Sequence, residues 1–94
     1  MDIKEVLEKN NKVLIDFYAD WCGPCKKMSP IIDQLKTELP GQVEILKLNI
    51  DQFSDLAAEF EVMSIPTLLF FKEGKLEERI VGLASKNDIL EIIK

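Results

Sequence analysis

The sequence predicts an α/β domain built on a mixed sheet with helices on both faces. Three observations lead there. Continuous apolar runs of strand length alternate with segments whose apolar residues recur at helical spacing. Two of the runs are joined by Lys72-Glu73-Gly74-Lys75, a turn signal that predicts a hairpin. The chain has 94 residues, enough for one hydrophobic core and not for two, so residues 1–94 are expected to form a single domain.

Taken in order, Ile3, Val6 and Leu7 share one face of a short first helix, with Asp2 and Glu5 spaced as a cap and its partner. Lys12–Ala19 is an apolar run broken only by Asp16, and predicts a strand buried on both faces. Met28, Ile31, Ile32, Leu35 and Leu39 mark a long amphipathic helix that Pro40-Gly41 stops and Pro30 should bend. Val43–Ile50 is a second strand, and Phe53, Leu56 and Phe60 suggest another covering helix. Thr67–Phe71 and Leu76–Val81 form the hairpin, and Ser85 with Asp88 caps a closing helix that packs through Ile89, Leu90 and Ile93. The order is α-β-α-β-α-β-β-α. The early βαβ unit pairs its strands in parallel by a right-handed crossover, and the hairpin adds antiparallel strands.

Composition narrows the function. With 47% hydrophobic and 31% charged residues the chain reads as an ordinary globular domain. A net charge of −5 argues against nucleic acid or an anionic membrane as partner, because both call for basic patches. No apolar run has transmembrane length, and Met1–Lys9 alternates charged with apolar residues, unlike a secretion signal. Two cysteines without such a signal point to a reducing compartment, with the cytoplasm as the expected location.

Asp20-Trp21-Cys22-Gly23-Pro24-Cys25-Lys26 holds the only tryptophan and both cysteines. Cysteines three apart are a redox couple, half of a metal site, or a structural pair. Zinc takes four ligands, and a chain with two Cys and no His would have to dimerise or recruit carboxylates to supply them. Gly23-Pro24 joins a strand to a helix, and proline is tolerated in a helix's first turn because the N–H it lacks would be unpaired there. Cys22 is therefore expected at a helix N-terminus, exposed, where free N–H groups and the macrodipole favour an anion. The thiolate so favoured is the nucleophile of disulfide exchange. Cys25, one turn on, should point further inward. Asp16 is a charge within a buried strand, which costs on the order of a few kcal/mol if it stays ionised and unpaired. Burial should raise its pKa and make it a proton acceptor near neutral pH. The plain alternative is that Asp16 turns to a solvated edge and Lys47 is a surface charge.

Trp21-Cys22-Gly23-Pro24-Cys25-Lys26 resembles the active-site motif of the thioredoxins residue for residue. Further matches are Asp16-Phe17, Lys47-Leu48 continuing into Asn49-Ile50-Asp51, Ile65-Pro66-Thr67, the hairpin glycine Gly74, and Val81-Gly82. The resemblance spans nearly the whole chain. It implies the thioredoxin fold and a dithiol–disulfide reductase of protein substrates, recycled by a thioredoxin reductase, with no bound cofactor. In that reading Cys22 attacks the substrate disulfide and Cys25 resolves the mixed disulfide. Asp16, behind Cys25, takes its proton through water, with Lys47 as charge partner. Ile65–Pro66 would be cis, and Trp21, Gly23, Pro24, Ile65, Pro66, Val81 and Gly82 would form the apolar surface that docks substrates. The Gly-Pro spacer resembles that of the reducing members. An oxidase or isomerase of the same fold, or a scaffold subunit using the same surface, are the rival readings.

Departures from the family pattern are Tyr18 where many members have Trp, and Ser64 where many have Gly. Thioredoxins usually place a strand before the first helix, and there is no room for one here. A four-stranded sheet is therefore expected, with Val43–Ile50 at its edge partly covered by the first helix, in a protein that is mainly monomeric.

Overall fold

The computed structural model describes residues 1–94, and its elements follow the expected order. They are α1 (Ile3–Lys9), β1 (Lys12–Tyr18), α2 (Gly23–Glu38), β2 (Glu44–Asn49), α3 (Ser54–Glu59), β3 (Thr67–Lys72), β4 (Lys75–Val81) and α4 (Lys86–Ile93). The sheet runs β2-β1-β3-β4, with β2 parallel to β1 and the other pairings antiparallel.

β1 lies inside the sheet, and Val13–Phe17 are all buried. Side chains alternate across a strand, so its two faces seed separate cores. Leu14 joins Met28, Ile32 and Leu35 of α2 with Ile89 and Ile93 of α4. Ile15 and Phe17 join Leu48, Leu69 and Phe71 with Ile3 and Ala57 from α1 and α3. Phe60, just past α3, closes this second core with its ring 6.4 Å from Phe17 and 5.5 Å from Phe71. Fully burying side chains of this size contributes about 1.5–3 kcal/mol each.

Caps bear out the sequence reading at one end and half of it at the other. Ser85 and Asp88 form a reciprocal capping box on α4. Asp2 accepts from the Lys4 and Glu5 backbone N–H groups, but the Glu5 carboxylate turns to Lys9 instead of closing the box. α2 runs through Pro30 to Glu38 and ends ahead of Gly41, whose φ of +78° suits glycine.

The edges are where expectation and structure part. Ala19, Val43 and Ile50 fall outside the strands expected to hold them, because the pairing of β1 with β2 begins at Val13–Glu44 and ends at Tyr18–Asn49. Most of β4 is exposed rather than covered by a helix. An extra residue, Glu77, bulges between the partners of Phe70 and Phe71, and Glu77, Glu78 and Arg79 line this edge with charge. A bulge and charged side chains both discourage edge-to-edge pairing. At the other edge a cleft lined by Val6, Lys9, Glu44 and Leu46 separates α1 from β2, so the helix flanks the strand without pairing with it. Outward-pointing amides of β2 are expected to exchange with solvent deuterium faster than those of Val13–Phe17. Equal, strong protection in dilute solution would show the edge to be covered.

Candidate active site

β1 delivers the chain to Tyr18, and a turn then brings the Cys22 N–H to the Ala19 carbonyl at 3.2 Å. Cys22 is the N-cap of α2 in extended conformation, with Gly23 and Pro24 in the first turn. Its Sγ accepts the Cys25 N–H at 3.2 Å, taking the place that a serine or aspartate oxygen usually fills at a cap. Cys22 and Cys25 form a disulfide across one helical turn, with their Cα atoms 5.3 Å apart. The expected exposure of Cys22 needs correction: it is 6% exposed, against 3% for Cys25. Ala19, Ile50 and Ile65 pack against the pair, and the Ile65 carbonyl oxygen lies 3.9 Å from the Cys22 sulfur. Cys22 is still the outer of the two.

Around the disulfide, Trp21 is 67% exposed and its indole N–H donates to Asp51 Oδ2 at 3.1 Å. Asn49 organises this corner. It is buried, its Oδ1 accepts the Asp51 N–H at 2.9 Å, and its Nδ2 donates to Asp20 at 3.4 Å. The Ile65–Pro66 peptide is cis, as the resemblance implied. The Pro66 carbonyl accepts the Gly82 N–H at 2.8 Å, and Gly82 takes a φ of +96° in which a side chain would be strained. Val81, paired with Thr67, is exposed beside it. Cys22 is thus in contact with Ile65, and Pro66 is tied to Gly82. Sequence reasoning missed Met63, which is 92% exposed one residue before Ser64-Ile65-Pro66. Its signal was available: an apolar residue in a loop at no core-facing spacing.

Asp16 is 1% exposed on the face of β1 that α2 covers, and its Oδ1 is buried without a hydrogen-bond partner. Burial pushes its carboxyl up from 3.8 to about 6, with the Lys47 charge pulling down and the Asp33 charge pushing up. The solvated-edge alternative for Asp16 is therefore wrong. The Lys47 charge acts on Asp16 through space and not as a direct ion pair. The two residues are register neighbours on adjacent strands, yet no salt bridge joins them. The Lys47 ammonium donates instead to Ser29 Oγ at 2.6 Å and Asp33 Oδ1 at 3.1 Å. A cleft of about 130 Å³ lined by Tyr18, Asp20, Cys25, Lys26 and Ser29 brings solvent to the Cys25 side. That is room for a few waters. The histidine-free chain offers no imidazolium to the sulfurs, and His, Cys, Asp and Glu side chains form no group that could hold a metal ion.

A family model described as thioredoxin matches residues 3–94. The chain belongs to the thioredoxin family. It is 48% identical over 90 residues to the thioredoxin of Rickettsia felis, covering 96% of this chain and 86% of that one. Among solved structures, a mutant thioredoxin from Halobacterium salinarum superposes with a TM-score of 0.89 at 34% identity, covering 98% of this chain and 80% of the other. The oxidised mitochondrial thioredoxin 3 of Saccharomyces cerevisiae gives 0.88 at 37% identity, covering 98% and 85%. The fold is the thioredoxin fold, and with its vicinal cysteine pair the protein is a thiol–disulfide oxidoreductase. No helix is long and apolar enough to cross a membrane.

The raised pKa of Asp16 has a consequence for stability. The folded state holds this proton more tightly than the unfolded chain does, so the associated stability is full below about pH 4 and lost as pH rises through about 6. A rise from 3.8 to about 6 corresponds to roughly 3 kcal/mol. Asp16→Asn is expected to stabilise the fold at pH 7.5 by up to about 3 kcal/mol, with the gain vanishing below about pH 4. Urea unfolding at the two pH values measures it, and an equal gain at both would show that ionisation is not its cause.

Proposed function

We propose that this thioredoxin works as a reductase of protein disulfides, with Cys22 as the attacking thiolate and Cys25 as the resolving thiol. The observation that carries the assignment is the Cys25 N–H directed at Cys22 Sγ, 3.2 Å away, at the N-cap of a 16-residue helix. A backbone donor and the helix macrodipole both favour the thiolate over the thiol. With no histidine in the chain, that backbone field is the natural source of activation.

In the first step the Cys22 thiolate forms a bond to one sulfur of the substrate disulfide, and the other substrate sulfur leaves as a thiolate. In the second, Cys25 loses its proton and attacks Cys22, expelling the second substrate thiolate and closing Cys22–Cys25. Two electrons pass from the dithiol to the substrate, and a thioredoxin reductase restores the dithiol. Asp16 is the proton acceptor for Cys25, acting through water, since a carboxyl held at about 6 exchanges a proton readily near neutral pH. Lys47 tunes that carboxyl. Trp21, Gly23, Pro24, Ile65, Pro66, Val81 and Gly82 dock an extended segment of substrate. Exposure of Trp21 and Val81 and the apolar rim of the disulfide support that reading. The protein operates as a monomer in the cytoplasm or an equally reducing compartment, where a disulfide formed in turnover can be reduced again.

Replacing Cys25 with Ser is expected to trap mixed disulfides on Cys22, whereas Cys22→Ser should trap few. Limiting alkylation of the reduced protein near neutral pH should label Cys22 first, and preferential labelling of Cys25 would reverse the roles. Asp16→Asn should slow resolution more than first attack in stopped-flow traces, by roughly 10²-fold or more. Unchanged resolution would remove Asp16 from the mechanism. Turnover of a protein disulfide coupled to a thioredoxin reductase tests the direction of the reaction.

A further inference from the structure

Lys47 begins beside Asp16 and ends elsewhere. Their Cα atoms are register partners on β2 and β1, and strands lie roughly 4.8 Å apart. A four-carbon stem is long enough to fold back onto the Asp16 carboxyl. The ammonium instead lies at the rim of the sheet, donating to Ser29 Oγ at 2.6 Å and Asp33 Oδ1 at 3.1 Å, with the Tyr18 ring centroid 5.8 Å away. Ser29 and Asp33 are four residues apart on α2, so one face of that helix supplies both ligands. The two ends of the pair remain solvated, with the Asp33 side chain 62% and Lys47 23% exposed. Moving the ammonium inward would give up that hydration, which is why an outer acceptor can win against a buried one.

We propose that Ser29, Asp33 and the Tyr18 ring form a cradle that parks the Lys47 ammonium away from Asp16, and that Ser29 and Asp33 are thereby positioning residues for the proton acceptor of the resolving step. The proposal rests on the role given to Asp16 above. The charged groups facing Asp16 are few. β2 supplies Lys47, and α2 supplies Asp33. β3 and α4 turn apolar Leu68, Phe70, Ile89 and Ile93 to the same core.

Direct pairing with Lys47 would lower the carboxyl by about 1–3 pH units and hold it ionised, making it a weak base at neutral pH. The cradle keeps the cation close enough to act through space and too far to neutralise. Asp33 contributes twice with the same sign, by holding the lysine and by its own negative charge. Ser29 contributes only by holding, because it carries no charge. That difference separates the cradle from simple repulsion.

The test follows the Asp16 carboxyl carbon by NMR across a pH titration of the oxidised protein. Asp33→Asn is expected to move the midpoint down by about 0.5–1 pH unit, and Ser29→Ala down by a smaller amount. Lys47→Gln should move it up. In the Lys47→Gln background, Ser29→Ala should move nothing, since there is no ammonium left to release. A midpoint unmoved or raised by Ser29→Ala in the presence of Lys47, or an equal shift without Lys47, overturns the cradle. The pH profile of Cys25 resolution should shift with the NMR midpoint in Asp33→Asn. If Asp16→Asn leaves that profile intact, the acceptor role of Asp16 fails, while the NMR midpoints still decide the cradle.

Discussion

Burial of β1 on both faces is the constraint on which the rest of this protein depends. A strand with neighbours on each side and helices above and below must be apolar almost throughout, and Val13–Phe17 satisfy that except at Asp16. Because the strand is fixed by two cores, the point where it stops is fixed as well. That point sets where α2 starts, and hence where Cys22 meets free backbone N–H groups. The burial of this strand also desolvates the Asp16 carboxyl and raises its pKa. The scaffold and the raised pKa of Asp16 therefore share one cause.

The parts of the fold legible in the sequence were those governed by periodicity and local backbone chemistry. Strand runs, the Ser85–Asp88 box, the Gly74 turn and the N-cap position of Cys22 each depend on residues a few places apart. What was not legible depends on which of several partners a flexible side chain selects. Lys47 was expected at Asp16 and is held by Ser29 and Asp33. The choice turns on hydration at the sheet rim, which no spacing encodes. The burial of Cys22 likewise follows from the approach of Ile65 across the sheet, a contact without local signature. The cis Ile65–Pro66 peptide and the roles around it were readable only through resemblance to a family, because proline before a strand has a plain reading of its own.

The site is also more interlinked than a motif suggests. Trp21, exposed beside the disulfide, is held by Asp51, which Asn49 positions from the end of β2. Asn49 in turn reaches Asp20 beside the tryptophan. The backbone joins the same corner through the Ile50 N–H and the Tyr18 carbonyl at 2.8 Å. A change in the loop after β2 is therefore felt at Trp21, and Ile50 of the same loop packs directly against the cysteine pair.

The contact between Cys22 and Ile65 joins residues 43 positions apart, across the boundary between β1 and β3. On one side of that boundary is a β1–α2–β2 unit whose strands connect through a single helix, and on the other is the tight β3–β4 hairpin. Each half can gain contacts early in folding, because its loops are short to close. The β1–β3 seam requires the longest closure and should form late. Cys22 and Cys25 belong to the first half, and the Ile65–Pro66 loop borders the second. A nascent or partly unfolded chain consequently carries the cysteines without Ile65 packed against them. Completion of the sheet is the event that closes the apolar rim around the disulfide.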